Sequence, residues 1–215
     1  AVANDGELLM KDSVISNSTS LQECKGSAIY NTGDFILFDS VVENNSIRRA
    51  NFNYIYGVIY NSGNLTARGC IFKNNTGYYD SMPAFKGSPN IYNIGNLNIT
   101  YSAFMDNKEF VGIASDVYFN GGEIITLDNN WWNTNENPYE MDTKINVDKV
   151  NSWLIFSLTP DYSKLNISDS LTLKASWTNN ISLLSKINLL PVFDVIFKTD
   201  VNGRQITQSK KMIDG

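Results

Sequence analysis

Histidine is missing altogether from the 215 residues, and with it go the commonest general base and the commonest metal ligand. Hydrolase and metal-site chemistries that depend on imidazole are excluded, and no cofactor or metal is expected. Cysteine is nearly missing: Cys24 and Cys70 form no CxxC pair and no disulfide framework. Each reads as a small buried apolar side chain, with a bridge between them as the alternative. There is no basic block either. Seventeen Lys and Arg against 22 Asp and Glu leave a net charge of −5, scattered along the chain, which gives no electrostatic footprint for nucleic acid or an anionic membrane. No apolar run approaches the ~18 residues that a membrane helix needs. Residue 1 opens directly into patterned sequence, so the chain reads as a part of something longer, with any signal peptide before Ala1 out of view.

What is present is a repeat. Gly6, Gly33, Gly63, Gly95 and Gly122 stand at equivalent places, 27, 30, 32 and 27 residues apart, and a period near 30 is the mark of a solenoid. Seven residues after each Gly come Ser13, Ser40, Cys70, Ser102 and Asn129; nine after come Ile15, Val42, Phe72, Phe104 and Trp131. Eleven after come Asn17, Asn44, Asn74, Asp106 and Asn133, followed in three copies by Asn45, Asn75 and Asn107.

Within each copy the period is that of strands. Phe35 and Leu37, Leu65 and Ala67, and Leu97 and Ile99 alternate with their neighbours at strand period, which excludes helical repeats. Gly and Asn at fixed places suit turns that need positive φ or a side chain able to bond its own backbone. Three short strands joined by such turns and coiled at ~4.8 Å per turn give a right-handed parallel β-helix, five turns of which would span on the order of 24 Å. The Ile15/Val42/Phe72/Phe104/Trp131 column is expected inside, with the Ser/Cys column at a tight bend. One of the two Asn columns is expected to form an amide ladder along the axis; the alternative is that both are outward turn formers.

Copies two and three are longer, and at one place. The chain takes 12 steps from Ser18 to Tyr30 and 11 from Asn107 to Tyr118, but 15 from Asn45 to Tyr60 and 17 from Asn75 to Tyr92. The extra residues should form two loops lying side by side on one flank, carrying Phe52, Tyr54, Tyr56, Tyr78, Tyr79 and Phe85. Such insertions often make the binding face of a repeat protein; equally, these aromatics could simply pack over the side of the coil. Tyr54, Tyr56, Tyr78, Tyr79 and Phe85 are the candidate ligand-binding residues.

Asn129-Asn130-Trp131-Trp132 closes the repeats, and a solenoid must cap its end. Trp131 is expected to point in and Trp132 out or over the edge, where it caps the coil or offers a sugar-stacking platform. Trp153, Leu154 and Phe156 would finish the cap, giving a β-helix over 1–157. From about Leu158 the pattern changes to Leu171/Leu173/Ala175/Trp177, then 192–198 and 204–210, which reads as successive strands of a β-sandwich. The segment 158–215 is short for an immunoglobulin-like domain of roughly 100 residues, so it is truncated or takes strands from elsewhere.

The stretches Gly26-Ser-Ala-Ile-Tyr-Asn31, Tyr60-Asn-Ser-Gly-Asn-Leu-Thr66, Cys70-Ile-Phe-Lys-Asn-Asn75 and Phe104-Met-Asp-Asn107 resemble the repeats of adhesin-like surface proteins of methanogenic archaea, and more loosely those of polymorphic outer-membrane proteins. Asn129-Asn-Trp-Trp with Pro138 and Val150-Asn-Ser-Trp-Leu-Ile155 is similar to the way the archaeal β-helices end before immunoglobulin-like domains. The resemblance implies a secreted, anchored cell-surface protein that attaches to glycans or proteins of other cells. Seven sequons, at Asn17, Asn44, Asn64, Asn74, Asn98, Asn166 and Asn180, are candidate glycosylation sites; a glycan and a buried ladder could not share Asn74.

Parallel β-helices also carry polysaccharide-cleaving enzymes, which need paired carboxylates or acidic calcium ligands with a basic partner. Asp12, Asp39 and Asp128 each follow their Gly by six residues, but Gly69 and Tyr101 interrupt that column. The chain is therefore expected to be non-catalytic. A binding module and a passive envelope stalk remain as the two readings.

Overall fold

The computed structural model describes residues 1–20, 24–49, 55–79, 87–88, 90–109, 116–140, 144–160, 172–181, 189–201 and 204–212. The chain coils into a parallel β-solenoid. Val2–Asn4, Ile29–Asn31, Ile59–Asn61, Ile91–Asn93 and Val117–Phe119 stack as the first face; Glu7–Lys11, Asp34–Phe38, Asn64–Arg68, Asn96–Thr100 and Glu123–Thr126 stack as the second. Val14–Ser16, Val41–Glu43, Ile71–Lys73 and Ala103–Met105 make the third. A fourth face, Thr19–Ser20, Ser46–Arg49, Thr76–Tyr79 and Lys108–Glu109, replaces the three-strand coil expected from the sequence. It arises because the chain turns again immediately after the paired Asn residues.

The interior is filled by the alternate residues of each face. Ile29, Ile59, Ile91 and Val117 enter from the first; Phe35 and Leu37, Leu65 and Ala67, and Leu97 and Ile99 enter from the second; Val42, Phe72 and Phe104 enter from the third. Phe72 and Phe104 stack at 4.9 Å with rings 14° apart, offset by one strand spacing as the parallel register requires.

The glycine column is real, but positive φ is not its reason. Of its five members only Gly122 has positive φ. A Cβ on Gly33 would meet Gly6 O at 2.2 Å, one on Gly63 would meet Gly33 O at 2.2 Å, and one on Gly95 would meet Gly63 O at 2.1 Å. Each glycine lies directly on the carbonyl of the one before it. The positive-φ work falls to other residues. Asp12, Asp39, Tyr101 and Asn129, with Gly69 among them, turn the chain from second to third face at φ 48–67°. Asn17, Asn44, Asn74, Asp106 and Asn133 turn it from third to fourth at 51–58°. Asn and Asp tolerate this conformation best after Gly, which accounts for both columns.

The second Asn column provides the ladder. Asn45 Nδ2 donates to Asn75 Oδ1 at 3.1 Å, and Asn75 Oδ1 also accepts from Asn45 N. Asn75 N in turn donates to Asn107 Oδ1 at 3.0 Å. Another ladder, not anticipated from the sequence, runs up the first face. Asn4, Asn31 and Asn61 each donate to the Oδ1 of the next, ending on Asn93, at 2.8, 2.7 and 2.6 Å. In the Ser/Cys column, Ser40 Oγ accepts from Ser13 N and Ser102 Oγ from Cys70 N, both at 3.1 Å.

One residue inserted in the last strand of the second face redirects everything after it. Leu97 pairs with Ile124 but Asn98 pairs with Thr126, so Ile125 is a bulge. Consequently Asn130, not Asn129, takes the Ser/Cys place, accepting from Ser102 N at 2.9 Å. Trp132, not Trp131, points inward, fully buried and stacked on Phe104 at 4.5 Å. The expected order of the two tryptophans is thus reversed. Trp131 faces outward against Trp177 at 5.0 Å and Phe156 at 6.5 Å.

Past the coil the described residues form small antiparallel sheets. Leu154–Pro160 pairs with Leu173–Asn179, and Phe193–Val201 pairs with Arg204–Met212. Asn180 and Trp153 join the first pair to the coil's last turn, with Trp153 N donating to Asn180 Oδ1 at 2.8 Å and Asn130 bridging Trp153 in parallel.

Candidate functional surface

The flank that carries the two insertions begins and ends in paired strands. Thr76–Tyr79 lies in parallel register on Ser46–Arg49, with Tyr78 opposite Arg48 and Tyr79 opposite Arg49. The chain returns through Gly87–Ser88 on Ile55–Tyr56. Departure and return are each one strand spacing apart, so the two insertions leave and rejoin the coil side by side. Phe52, Tyr54 and Phe85 lie outside the described residues, as do the side chains of Tyr78 and Tyr79. Of the candidate ligand-binding residues, Tyr56 alone has a described side chain. It packs edge-on against Tyr60 at 5.7 Å and Tyr92 at 5.1 Å, over the side of the coil.

Those two tyrosines belong to a column that the sequence displays as recurring Ile-Tyr-Asn and whose stacking was not foreseen. Tyr30, Tyr60, Tyr92 and Tyr118 face outward on the first face in successive registers. Their rings stack at 5.4, 5.9 and 5.6 Å. The Lys25 ammonium stands 5.0 Å above the Tyr60 ring and 5.6 Å from that of Tyr56, and its hydrogen bond to Tyr60 raises its pKa.

The acids named as possible catalytic groups have structural work. Asp12 and Asp39 are the positive-φ turn residues described above, beside Lys11 at 3.8 and 3.9 Å. Asp128 Oδ1 accepts from the backbone N–H groups of Asn151 and Ser152 at 2.8 and 3.2 Å. Among the described residues no three His, Cys, Asp or Glu side chains gather as metal ligands, and no helix is long and apolar enough to cross a membrane.

The acid with a strongly perturbed environment is one that pattern reading passed over. Asp116 occupies the place held in earlier coils by Ala28, Val58 and Asn90, just before the first-face strand, and that substitution was the available signal. It is 3% exposed, accepts from Asn107 Nδ2 at 3.0 Å, and pairs with Lys144 at 3.4 Å. Burial pushes its carboxyl up to about 6, with Lys144 and Asn107 opposing. Such a carboxyl holds its proton more tightly folded than unfolded, so protonation favours the fold. This group's contribution to stability is fully present below about pH 4 and is lost as pH rises through about 6. At 1.4 kcal/mol per unit the penalty at pH 7.5 is on the order of 2–3 kcal/mol. We expect Asp116→Asn, which copies Asn90 below it but leaves Lys144 without its ion pair, to flatten the profile between pH 4 and 7. Urea unfolding across that range is the check; an unchanged slope in the variant would rule out Asp116 as its source.

Of the sequons, Asn17, Asn44, Asn64 and Asn74 are exposed, Asn98 and Asn180 are half-buried, and Asn166 is outside the described residues. The ladder uses Asn75, leaving Asn74 directed outward, so the two roles do not compete. The cysteines are not bridged: Cys70 is buried, its thiol pushed up to about 11 by burial, whereas Cys24 is exposed, contrary to expectation. No family model matches this chain, and no curated protein or solved structure is significantly similar to it.

Proposed function

We propose that this chain is a non-catalytic, adhesin-like module of a cell surface. In this reading a right-handed β-helix over 1–157, followed by an immunoglobulin-like segment over 158–215, presents two aromatic-bearing loops to glycans or proteins of another cell. The observation that carries the proposal is the register of Thr76–Tyr79 on Ser46–Arg49 and of Gly87–Ser88 on Ile55–Tyr56, which keeps two independent insertions adjacent. The outward Asn17, Asn44, Asn64 and Asn74 fit an extracellular glycoprotein. The structural duties of Asp12, Asp39 and Asp128 speak for a non-catalytic surface. A passive envelope stalk is the second reading, favoured by the packing of Tyr56 on the coil.

Glycan-array screening of residues 1–215 separates the two. Tyr78→Ala with Tyr79→Ala should reduce binding by about tenfold or more, as expected for aromatic anchors, and leave the thermal midpoint within a few degrees. Binding unaffected by the double substitution, or absent from the native chain, would leave the stalk.

A further inference from the structure

The end of the amide ladder runs into a lysine. Asp116 and Lys144 are successive members of the column that begins Ala28, Val58 and Asn90, because Val117 bridges Ile145 in parallel and Val117 N donates to Lys144 O at 3.0 Å. One coil earlier the ladder touches this column harmlessly: Asn75 Nδ2 donates to Asn90 Oδ1 at 3.2 Å, an amide on an amide. At the next coil the acceptor becomes a carboxyl and the column residue beyond it an amine. Asp116 Oδ1 accepts from Asn107 Nδ2 at 3.0 Å, and Asp116 Oδ2 lies 3.4 Å from Lys144 Nζ. One buried carboxyl therefore holds a primary amide on one oxygen and a primary amine on the other.

We propose that these three side chains form a self-cross-linking site, in which Lys144 Nζ displaces ammonia from Asn107 to give an intramolecular isopeptide bond, with Asp116 as the acid–base group. The Lys144 ammonium passes a proton to Asp116, and a short swing of its flexible stem brings the freed lone pair to Asn107 Cγ. As the Nζ–Cγ bond forms, the carbonyl pair moves onto Oδ1, where Asn75 N donates at 3.0 Å and stabilises the developing charge. When that pair returns, the Cγ–Nδ2 bond breaks, and Asp116 delivers its proton to the departing Nδ2 that it already touches. Asp116 then takes the surplus proton from Nζ and yields it to the ammonia, which leaves as ammonium. Charge and atoms balance, the carboxylate is restored, and no second substrate is needed. Burial favours the step, since it pushes the Asp116 carboxyl up to about 6 and so brings the uncharged acid and amine closer in energy to the ion pair. The Asn107 amide is also fixed in place, because its Nδ2 donates to Phe72 O at 2.9 Å as well; holding reactants in this way replaces a bimolecular encounter. The product ties the last rung of the ladder to the turn beyond Asp116, and closing that loop constrains the unfolded chain as a disulfide does.

Mass spectrometry of residues 1–215, purified without glycosylation and held near neutral pH, tests this directly. The intact chain should be lighter by one ammonia, and tryptic mapping should yield a branched peptide joining Asn107 to Lys144. Lys144→Arg, which keeps a cation beside Asp116 but removes the amine nucleophile, should restore the full mass and melt on the order of 10 °C lower. Asp116→Asn, which gives this position the amide of Asn90, should also restore the full mass, with circular dichroism showing the coil intact. A native chain of full mass overturns the proposal. So does a deficit that survives Lys144→Arg, which would be cyclisation of Asn107 on its own backbone, and so does a branched peptide that still forms in Asp116→Asn.

Discussion

Gly63→Ala should unfold or nearly unfold the chain, at a cost of more than about 4 kcal/mol, a range confined to few mechanisms, whereas Gly6→Ala, the same change in the same column, should be neutral or gain up to about 0.5 kcal/mol. A Cβ on Gly63 would stand 2.2 Å from Gly33 O, 2.6 Å from Thr32 C and 2.7 Å from Thr32 O. All three are backbone atoms, so no side chain can move aside. Relief requires the coils to separate, which breaks parallel hydrogen bonds such as Asn64 N to Gly33 O at 2.9 Å and loosens the Phe35, Leu65 and Leu97 column beneath. Gly6 meets nothing within 4 Å, so alanine there only reduces the freedom of the unfolded chain. Circular dichroism melts of the two variants are sufficient. A soluble Gly63→Ala protein melting within a few degrees of the native one would contradict the stacking of glycine on carbonyl described here.

Asn75→Leu should cost about 3–5 kcal/mol, and Asn74→Ala, one residue earlier, about 1–2 kcal/mol. Asn75 is fully buried. Its Oδ1 accepts from Asn45 N and Asn45 Nδ2 at 3.1 Å, and its Nδ2 donates to Val42 O at 3.0 Å and Asn90 Oδ1 at 3.2 Å. Leucine has nearly the same size but leaves several of those groups unpaired away from water, each at about 1–3 kcal/mol. Asn74 is exposed at φ 52°, so its loss costs only the poorer fit of alanine to the left-handed region. Asn74→Gly should therefore be close to neutral. Equal losses at Asn74 and Asn75 in urea titrations would refute the division of labour between the columns.

Both predictions rest on columns that could be counted in the sequence, but the reasons for those columns could not. Positive φ was the natural account of repeated glycines, yet the positions that need it hold Asp12, Asp39, Asn17, Asn44 and Asn74. Contact between coils is invisible within a single repeat, because the atom that forbids a Cβ on Gly63 belongs to a residue 30 positions earlier. The tryptophans misled for a related reason. Asn129-Asn130-Trp131-Trp132 doubles each residue type, so it fits the column in either of two frames. Only the bulge at Ile125 chooses the frame that buries Trp132. The recurring Ile-Tyr-Asn likewise showed a tyrosine at each turn but could not bring them into one stack, and the aspartate that breaks the Ala28, Val58 and Asn90 column before Val117 could not by itself name Lys144 as its partner.

By itself, then, the sequence determined a coil of parallel strands with a period near 30, the apolar column from Ile15 to Phe104, an amide ladder and two insertions at one corner. These follow from spacing, and spacing survives without coordinates because every copy obeys the same local geometry. The tertiary structure alone decided the fourth face, which Asn column forms the ladder, which tryptophan is inside, the buried Asp116–Lys144 pair, and the stacking of the first-face tyrosines. Each of these depends on how one coil sits on the next, and that contact is made between residues a full turn apart.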